Sequence, residues 1–509
     1  MLERELKFFV PLESRAGLEH AYASVQTGTI SLNAIYFDTP ERHLAQAGIA
    51  LRLRLENQQW VQTVKMPGPD SLSRIELNHT RPSPTLDFSV YTQPPLTQLL
   101  REHQHDIHPR YETRVQRRLA LIETRQADQL EMAWDTGQLL AKELCYDINE
   151  LEVELVSGSA KAMFELGEQW QYRHQLILEM RSKSERGDAL ANLARHPKSK
   201  QDEAPCFRVN AAQTLARKAF ELDRKHSIET RDPEQFYRQM AALSLEQVIR
   251  NASLLAGLDD LRPSLEQQAD YLAAMRVGLR RLRSCRKLYK PWLSLSEQQS
   301  DKQLHYYFGL FGHARDYDMV HLEITPLLLK AGMPAPAPQQ EHVQATYSAV
   351  TLASAAEFQS LLLRSLQEIL VGEPLQHDTN TGLDVEQRLE RWFNVIQRGS
   401  SRFNKLSPEK QHILRNRIKT MRYCLELSQT ADRGLHKLLR ECQNLIGRVT
   451  DIDVALEWYA KHALSPEQAL FAQQWLEKTR HSREIKAQQA LKALAEHELR
   501  RRSSQLKRL

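Results

Sequence analysis

Strict alternation of apolar and charged residues marks several short segments in the first 180 or so residues of this chain. ALRLRLE at 50–56 is the clearest case, with leucine at every second position and arginine between the leucines. The same pattern occurs in ERELK (3–7), SRIEL (73–77), LEMAWD (130–135) and NELEVEL (149–155). Because successive side chains of a strand point to opposite faces, each segment predicts a strand with one apolar face and one ionic face.

The pattern changes to long helical periodicity with few glycines from about residue 230 onward. Before this change, ARHPKSKQDEAP at 194–205 is polar, bounded by proline and aperiodic, which is typical of a linker. A chain of 509 residues is also long enough for more than one domain. We therefore predict an α+β protein with a strand-rich domain at 1–195, a linker at 196–228 and an all-α domain at 229–509.

The helical half repeats itself. RVGLRRLRS at 276–284 aligns with RNRIKTMRY at 415–423 at an offset of 139 residues, and LFGHARDYDMV at 310–320 aligns with LIGRVTDIDVA at 445–455 at an offset of 135 residues. Offsets this similar indicate one duplicated unit with a small insertion or deletion. We predict two similar helical bundles related by a pseudo-twofold axis.

The composition indicates the cellular compartment of the protein but does not identify a binding partner. The net charge of +5 and pI near 8.8 are only mildly basic, so the clustering of cations matters more than their number. Five widely spaced cysteines without a CxxC pair argue against a disulfide framework and against a zinc site. The N-terminus is charged from residue 3, and no apolar run approaches the length of a membrane span. We expect a cytoplasmic protein.

The ionic faces of the predicted strands are unusual in their charge. Like charges recur two residues apart on single strands, at Glu3 and Glu5, Arg52 and Arg54, and Glu150, Glu152 and Glu154. An ordinary sheet with its polar face in water is one interpretation. The other is a barrel with the ionic faces inward, where carboxylates hold a divalent cation and arginines bind an anion with several oxygens. A metal-bound polyphosphate would satisfy both sets.

Several motifs occur together in the order of a known family. ExExK, spelled Glu3-Arg4-Glu5-Leu6-Lys7, is followed by YFDTPERHLAQAGIALRLR, WVQTVKMPG, WDTGQL, NELEVELVSG and RSKSERG. Over about residues 1 to 190 this series resembles the CYTH superfamily, also called triphosphate tunnel metalloenzymes. The resemblance implies an eight-stranded antiparallel β tunnel with flanking helices. It also implies hydrolysis or rearrangement of a triphosphate with Mg²⁺ or Mn²⁺.

The resemblance also assigns roles to the ionic residues, with Glu3, Glu5 and Lys7 as the catalytic motif. The phosphate-binding residues would be Lys7, Arg52, Arg54, Lys65, Arg117 and Lys183. The carboxylates directed towards the metal would be Glu3, Glu5, Asp135, Glu152 and Glu154, with Glu76 and Glu150 as second choices. In RVQRRL at 114–119, strand parity places Arg117 on the opposite face from Arg114 and Arg118. Arg118 is the alternative to Arg117.

Hydrolysis of a phosphoanhydride needs neutralised phosphoryl oxygens, a polarised leaving group and an aligned water. We therefore predict a metal-dependent inorganic triphosphatase. One alternative is hydrolysis of an organic triphosphate such as thiamine triphosphate, which would need an aromatic pocket; Tyr36, Trp60 and Trp134 leave this open. The other is a non-catalytic protein that binds polyphosphate granules.

Both copies of the helical repeat carry a basic stripe. At about 100° per residue, Arg276, Arg280, Arg283 and Lys287 lie on one face of a helix, beside an apolar seam. His412, Arg415, Lys419 and Arg422 form the equivalent stripe in the second copy. Duplicated stripes indicate a shared polyanion, although a solvated basic face is the alternative. Few aromatic residues interleave the cations, so we do not expect nucleic acid.

The segments RVGLRRLRS, GHARDYD, HILRNRIKTMRYCLEL and GRVTDID resemble the CHAD domain over about residues 230 to 509. This domain is associated with CYTH proteins and binds inorganic polyphosphate. The resemblance implies that the basic stripes bind polyphosphate and that the protein associates with polyphosphate granules. It is similar in this respect to bacterial CYTH-CHAD inorganic triphosphatases. We expect Asp316, Asp318, Asp451 and Asp453 to cap helices and pair with arginines rather than bind a metal.

Overall fold

The computed structural model describes residues 2–195, 207–208, 219–222, 228, 230, 232–334, 348–376, 384–426 and 432–506, without the side chains of 207–208, 313–318, 322 and 498–506. Its packing divides the chain into two compact units. The first consists of Met1–Ala219, Ile249–Tyr271 and Ala353–Val371, and the second of Phe220–Val248, Leu272–Leu352 and Gly372–Leu509. Much of the predicted linker at 196–228 lies outside the described residues, and the domain boundaries stay a prediction.

Eight antiparallel strands form a closed barrel in the first unit. They are β1 (Leu2–Phe9), β2 (Gly28–Asp38), β3 (Ala50–Glu56), β4 (Gln59–Pro67), β5 (Ser73–Arg81), β6 (His108–Glu123), β7 (Gln129–Ala141) and β8 (Leu144–Ser157). Neighbouring strands pair in the order β8-β7-β6-β2-β3-β4-β5-β1. Because β1 also pairs with β8, through residues 5 to 9, the ring closes and the predicted tunnel is confirmed. An eight-stranded barrel leaves room inside for side chains or one small ligand.

Helices cover the apolar outer face of the barrel. They are α1 (Arg15–Ala23), α2 (His43–Gln46), α3 (Pro94–His103), α4 (Ala160–His174) and α5 (Lys183–Leu193). Leu6 and Phe8, which alternate with the ionic residues of β1, are fully buried. A Cβ on Gly167 of α4 would lie 2.8 Å from Leu6 Cδ1, so this glycine allows α4 to approach the strand closely.

Helix α5 closes one end of the barrel. At that end the inward faces of the strands become apolar, and Tyr36, Val115 and Leu139 form a buried cluster with Leu190 and Ala191 of α5. The first residue of α5 is Lys183, so burial of the helix in the barrel end carries this lysine towards the ionic interior. A short strand, β9 (Ile177–Leu178), precedes α5 and pairs with β1.

The rest of the described chain is helical, apart from the two-residue strand β10 (Phe207–Arg208). The helices are α6 (Pro233–Leu255), α7 (Leu265–Tyr289), α8 (Leu295–Asp318), α9 (Thr325–Lys330), α10 (Ala349–Ser354), α11 (Ala356–Val371), α12 (Val385–Ser400), α13 (Pro408–Glu426), α14 (Arg433–His462) and α15 (Pro466–Leu506). This confirms the predicted all-α region. No helix within the described residues is both long and apolar enough to cross a bilayer.

The internal repeat appears as two matching contacts in the second unit. Arg276 of α7 packs on Gly312 of α8, where a Cβ would lie 3.3 Å from the guanidinium. Arg415 of α13 packs on Gly447 of α14, where a Cβ would lie 2.8 Å from the guanidinium. The sequence alignment had paired these same residues, so the duplication of the helical bundle is confirmed.

The predicted capping role of the aspartates is wrong, whereas their predicted pairing with an arginine is confirmed for Asp453. Asp451 and Asp453 lie inside α14, and Asp453 Oδ1 instead accepts a bond of 2.6 Å from Arg480 Nε. Asp316 and Asp318 fall at the end of α8 rather than at its start, and their side chains lie outside the described part of the chain.

Candidate functional site

The charged side chains of the strands meet inside the barrel. Arg117 on β6 bonds to Glu152 on β8, two strands away, and Arg52 on β3 contacts Glu76 on β5, again two strands away. Side chains of strands that are not neighbours converge in this way only on the concave face of a closed sheet. The ionic faces therefore point inward and the apolar faces outward.

One group of these side chains surrounds Lys183. The Lys183 ammonium lies 2.6 Å from Asp135 Oδ2 and 2.9 Å from Glu152 Oε1, and also contacts Glu150. Arg117 Nη2 donates to the same carboxylates, at 2.7 Å to Asp135 and 2.6 Å to Glu152. We call these five residues the Lys183 cluster.

Strand register explains this cluster. Arg117 is paired with Asp135 across β6 and β7, and Asp135 with Glu150 across β7 and β8. Directly paired residues project from the same face of a sheet, so the three side chains are neighbours inside the tunnel. Glu152 is paired in the same way with Lys7 on β1, and their charged groups are 3.6 Å apart.

Opposite charges offset the effect of burial in the Lys183 cluster. Burial alone would raise the pKa of Asp135, yet the adjacent Lys183 and Arg117 lower it. Burial would likewise lower the pKa of Lys183, yet Asp135, Glu150 and Glu152 raise it. The paired charges therefore hold one another in place before any ligand arrives.

A second group surrounds Lys65. Its ammonium lies 2.6 Å from Glu3 Oε2 and 3.3 Å from Glu76 Oε2. Arg52 contacts Glu76 Oε1 at 3.4 Å and donates to the hydroxyl of Tyr36 at the same distance. We call Glu3, Tyr36, Arg52, Lys65 and Glu76 the Lys65 cluster.

Three carboxylates stand side by side near Glu3. Glu5 on β1 is paired with Glu154 on β8, and Glu154 with Glu131 on β7. We call Glu5, Glu154 and Glu131 the carboxylate row. Burial, together with the negative charges of Glu3, Glu5 and Glu131, raises the pKa of Glu154 to about 8. Burial and Glu5 also raise the pKa of Glu3, although Lys65 opposes them.

Excess negative charge on hard oxygen donors suits a divalent cation such as Mg²⁺ or Mn²⁺. By spacing, one group within the described residues qualifies as a metal site: the ligand oxygens of Asp135, Glu150 and Glu152 lie within 4.8 Å of one another. However, the Lys183 ammonium already lies among these three carboxylates. The carboxylate row and Glu3 have ammonium contacts too, since Lys65 bonds to Glu3 and Lys7 lies 3.3 Å from Glu5.

The structure divides the predicted metal-binding set in two. Glu3, Glu5 and Glu154 belong to the carboxylate row and its surroundings, whereas Asp135 and Glu152 belong to the Lys183 cluster. The predicted phosphate-binding residues all project into the tunnel, and Arg54, one of them, contacts Glu56. Burial, with the charge of Arg52 added, lowers the pKa of Arg54 to about 10.

Arg118, the alternative to Arg117, lies on the other face of β6. It bonds to Glu19 of α1, and its guanidinium lies 3.9 Å from the ring centre of Trp134. Trp134 also points outward, and its indole donates to Asn149 at 3.0 Å. The neighbouring arginines 117 and 118 thus have separate environments.

Sequence reasoning missed the residues that fix Lys183 in place. Arg186 contacts Glu150, and Gly187 packs against Tyr111, whose ring would lie 2.2 Å from a Cβ at this position. Tyr111 in turn stacks on Tyr36, with ring centres 4.7 Å apart. A glycine four residues into the helix of RSKSERG is a signal that could have indicated such a close approach.

The helical stripes converge around Lys419. Burial and the charges of Arg415, Arg280 and Arg276 lower the pKa of Lys419 to about 6, with Asp451 opposing them. Arg276 and Arg280 come from α7, and Arg415 and Lys419 from α13, so the two copies of the repeat meet here. We call these four residues the cationic cluster.

The other predicted polyphosphate-binding residues lie beside the cationic cluster or apart from it. Arg283 shares the Phe308 ring with Arg276 and Arg280, at 5.3 Å from the ring centre, whereas Lys287 lies 5.8 Å from the ring centre of Trp392. Arg422 is held by Gln443 at 2.7 Å and by Glu426 at 3.0 Å. His412 is exposed on α13.

Comparison with known proteins gives a relative for part of the chain. An inorganic triphosphatase of Haemophilus influenzae is 25% identical over 200 residues, which cover 37% of this chain and 55% of that protein. The matching part thus spans about half the length of the relative.

Two solved structures match a similar share of the chain. A Hippeastrum protein reported to have a dominant triphosphatase activity is 18% identical, covering 37% of this chain and 96% of its own, with a TM-score of 0.27. A Pyrococcus horikoshii protein is 15% identical, covering 35% of this chain and 96% of its own, with a TM-score of 0.24.

Family matching covers both halves of the chain. Residues 1–187 match the CYTH domain, and residues 239–460 match the CHAD domain. The order and extent of these matches agree with the motifs in the sequence and with the barrel and helices of the fold. The protein therefore has a CYTH domain followed by a CHAD domain.

Proposed function

We propose that this protein hydrolyses inorganic triphosphate in its tunnel with the help of Mg²⁺ or Mn²⁺. The observation that supports this most directly is the interior of the barrel, where fixed cations of the Lys183 and Lys65 clusters face the carboxylate row. The CYTH domain and the similarity to the Haemophilus influenzae inorganic triphosphatase favour the same activity.

Glu3, Glu5 and Glu154 would hold the cation. Their crowded negative charge, seen in the raised pKa of Glu154, is what a divalent cation would neutralise. When bound, such a cation would supply a Lewis acid for the phosphoryl oxygens and lower the pKa of a bound water. Asp135 and Glu152 would instead keep Lys183 and Arg117 in position.

The cations of the tunnel would bind the phosphoryl oxygens. Lys7, Arg52, Arg117 and Lys183 are buried or nearly so, and each already lies beside a carboxylate. Their positive charges are therefore fixed in place before substrate enters, which is the condition for strong electrostatic stabilisation of a phosphoryl-transfer transition state. We expect no covalent intermediate.

The aromatic residues of the tunnel favour an inorganic substrate over thiamine triphosphate. Trp134 points outward to Asn149, and Trp60 occupies an outward position because its neighbour Val61 is paired with the inward Arg54. Tyr36 does project inward, but it is 4% exposed and stacked on Tyr111. None of these three residues offers an open ring face for a thiazole or pyrimidine.

Phosphate release from triphosphate with Mg²⁺ or Mn²⁺ tests the proposal, with Arg117→Gln and Arg118→Gln as matched variants. We expect Arg117→Gln to lower kcat/KM by roughly a hundredfold, because it removes a donor from the tunnel. Arg118→Gln should change it little, since this residue lies on the outer face. Equal activities of the two variants would contradict the assignment, and a panel with longer polyphosphate, ATP and thiamine triphosphate would define the substrate.

We further propose that the helical region binds inorganic polyphosphate through the cationic cluster, and that the protein acts in the cytoplasm at polyphosphate granules. The lowered pKa of Lys419 supports this, because like charges crowd a buried lysine that an anion would stabilise. A purely granule-binding protein without catalysis is the alternative. Triphosphate hydrolysis by the wild-type protein would exclude it.

A further inference from the structure

We propose that the loop at 257–260, between α6 and α7, positions Lys183 in the tunnel, with Asp259 as the positioning residue. The loop lies outside the part of the chain that matches the CYTH domain, yet it belongs to the first compact unit. The inference rests on the proposed function, because it concerns the place of a phosphate-binding lysine.

The loop has an uncommon backbone. Asp259 and Asp260 adopt φ values of 65° and 55°, in the left-handed region that residues other than glycine seldom enter, although aspartate does so more often than most. Conformations of this kind persist where surrounding contacts determine them, and they concentrate at functional positions. Both aspartates bond to the tunnel: Asp260 accepts from the Leu12 amide at 2.9 Å, and Asp259 binds Arg181.

The contact between Asp259 and Arg181 lies close to Lys183 in the chain. Arg181 Nη2 donates to both carboxylate oxygens of Asp259, at 3.0 and 3.1 Å, and to Glu179 Oε2 at 2.7 Å. The Glu179 amide donates to the carbonyl of Lys7 at 2.8 Å, which ties this segment to β1. Arg181 is two residues before Lys183, so the position of its side chain constrains the start of α5.

Further contacts from the same compact unit hold the backbone on both sides of Lys183. The backbone of Leu178 in β9 donates to Gln359 Oε1 at 3.0 Å and accepts from Ser253 Oγ at 2.5 Å. Both side chains are almost fully buried, so they satisfy backbone groups that water cannot reach. On the other side of Lys183, Arg250 bonds to Glu185 at 2.7 Å.

These contacts fix the backbone from 178 to 185 at several points. Lys183 must reach three carboxylates at once, and small displacements of a binding group lower rates strongly. Loss of Asp259 would leave the buried Arg181 with a weaker set of partners and loosen the start of α5. The tunnel would then keep its strands and its ionic lining but misplace one cation.

The test uses the full-length protein with Asp259→Asn, and Arg364→Gln as a matched control. Arg364 on α11 contacts Glu168 on α4 at 3.3 Å, so it also joins a later helix to the tunnel region, but it does not lead to Lys183. We expect Asp259→Asn to weaken triphosphate binding and to lower kcat/KM by roughly tenfold to a hundredfold. Arg364→Gln should stay near wild type, and Asp259→Glu should recover part of the loss.

Amide hydrogen exchange over residues 177–187 gives a readout that does not depend on activity. Faster exchange there in Asp259→Asn, and not in Arg364→Gln, is the expected result. Wild-type exchange in Asp259→Asn would overturn the inference, whatever the activity. If the wild-type protein neither binds nor hydrolyses triphosphate, the proposed function fails, and the exchange result still decides whether the loop positions this segment. Should Asp259→Asn not fold, Arg181→Lys, which keeps the positive charge but alters the contact with Asp259, takes its place.

Discussion

The Lys183 cluster of the tunnel and the cationic cluster of the helical region shift the pKa of a buried lysine in opposite directions. Lys183 lies among three carboxylates, which raise its pKa in spite of burial. Lys419 lies near three arginines, and burial together with these like charges lowers its pKa to about 6. The first cluster is balanced before a ligand arrives, whereas the second would be stabilised by an incoming anion.

The difference bears on function. A balanced cluster keeps its geometry without substrate, which suits a site that must stabilise a transition state. A cluster of like charges is stabilised when an anion binds to it, which suits capture of a long polyanion. One substitution, lysine to methionine, distinguishes the two because its effects should have opposite signs.

The largest effect is expected for Lys183→Met. This change leaves Asp135, Glu150 and Glu152 buried beside fewer cations, so we expect a loss of about 3–5 kcal/mol in the free energy of unfolding. The pKa values of the carboxylates would rise, so the loss should be greater at pH 8 than at pH 5. Hydrolysis of triphosphate should fall by roughly a hundredfold or more.

Denaturant unfolding at both pH values and a phosphate-release assay measure these effects. Lys161→Met is the matched control, because Lys161 is an exposed residue of α4 that pairs with Glu165 at 3.7 Å. Unfolding curves of Lys183→Met that coincide with wild type would mean that the cluster is not balanced by this lysine.

Much of the tunnel could be predicted from local sequence, because alternation is a local property. ALRLRLE and NELEVEL define strands and their ionic faces without knowledge of any partner. The division of the metal-binding set could not be predicted, since it depends on register: Glu154 is paired with Glu5 and Glu131, whereas Asp135 is paired with Arg117. Register arises from contacts between distant strands.

In the helical region, too, the sequence predicts the face of each helix but not which side chains of different helices meet. Helical spacing identified Arg276 and Arg280 on one face of α7, and the repeat identified Arg415 and Lys419 on α13. Which of the striped residues meet depends on how the two helices pack, and Arg422 instead contacts Gln443 and Glu426. The loop at 257–260 was missed altogether, because its partner Arg181 is 78 residues away in the chain.

The second prediction concerns Lys419→Met, which should stabilise the protein. Methionine fills a similar volume and has no amine that burial and the nearby Arg415 and Arg280 must keep neutral, so we expect a gain of about 1–3 kcal/mol. Lys419 has a lowered pKa in the folded state, so its unfavourable contribution grows as the pH falls from about 10.5 towards 6. The gain should therefore be larger at pH 6 than at pH 9.

Denaturant unfolding at pH 6 and pH 9 tests this, with Lys410→Met, at an exposed position of the same helix, as the control. A loss of stability in Lys419→Met would mean that Lys419 stabilises the fold as Lys183 does, and would contradict the expected difference in sign. The same variant should bind polyphosphate more weakly than wild type, so that gain in stability and loss of binding occur together.

The smallest effect is a proton taken up when polyphosphate binds. Above about pH 6 the free protein holds Lys419 largely neutral, and a bound polyanion would raise its pKa towards the ordinary value of 10.5. Binding at pH 7.5 should therefore take up a proton, at most about one per site, and affinity should be higher at pH 6 than at pH 8. Titration calorimetry in buffers of different ionisation enthalpy measures the uptake directly. Lys419→Met should abolish most of it, and an equal uptake in wild type and variant would show that another group, such as a histidine, carries the proton.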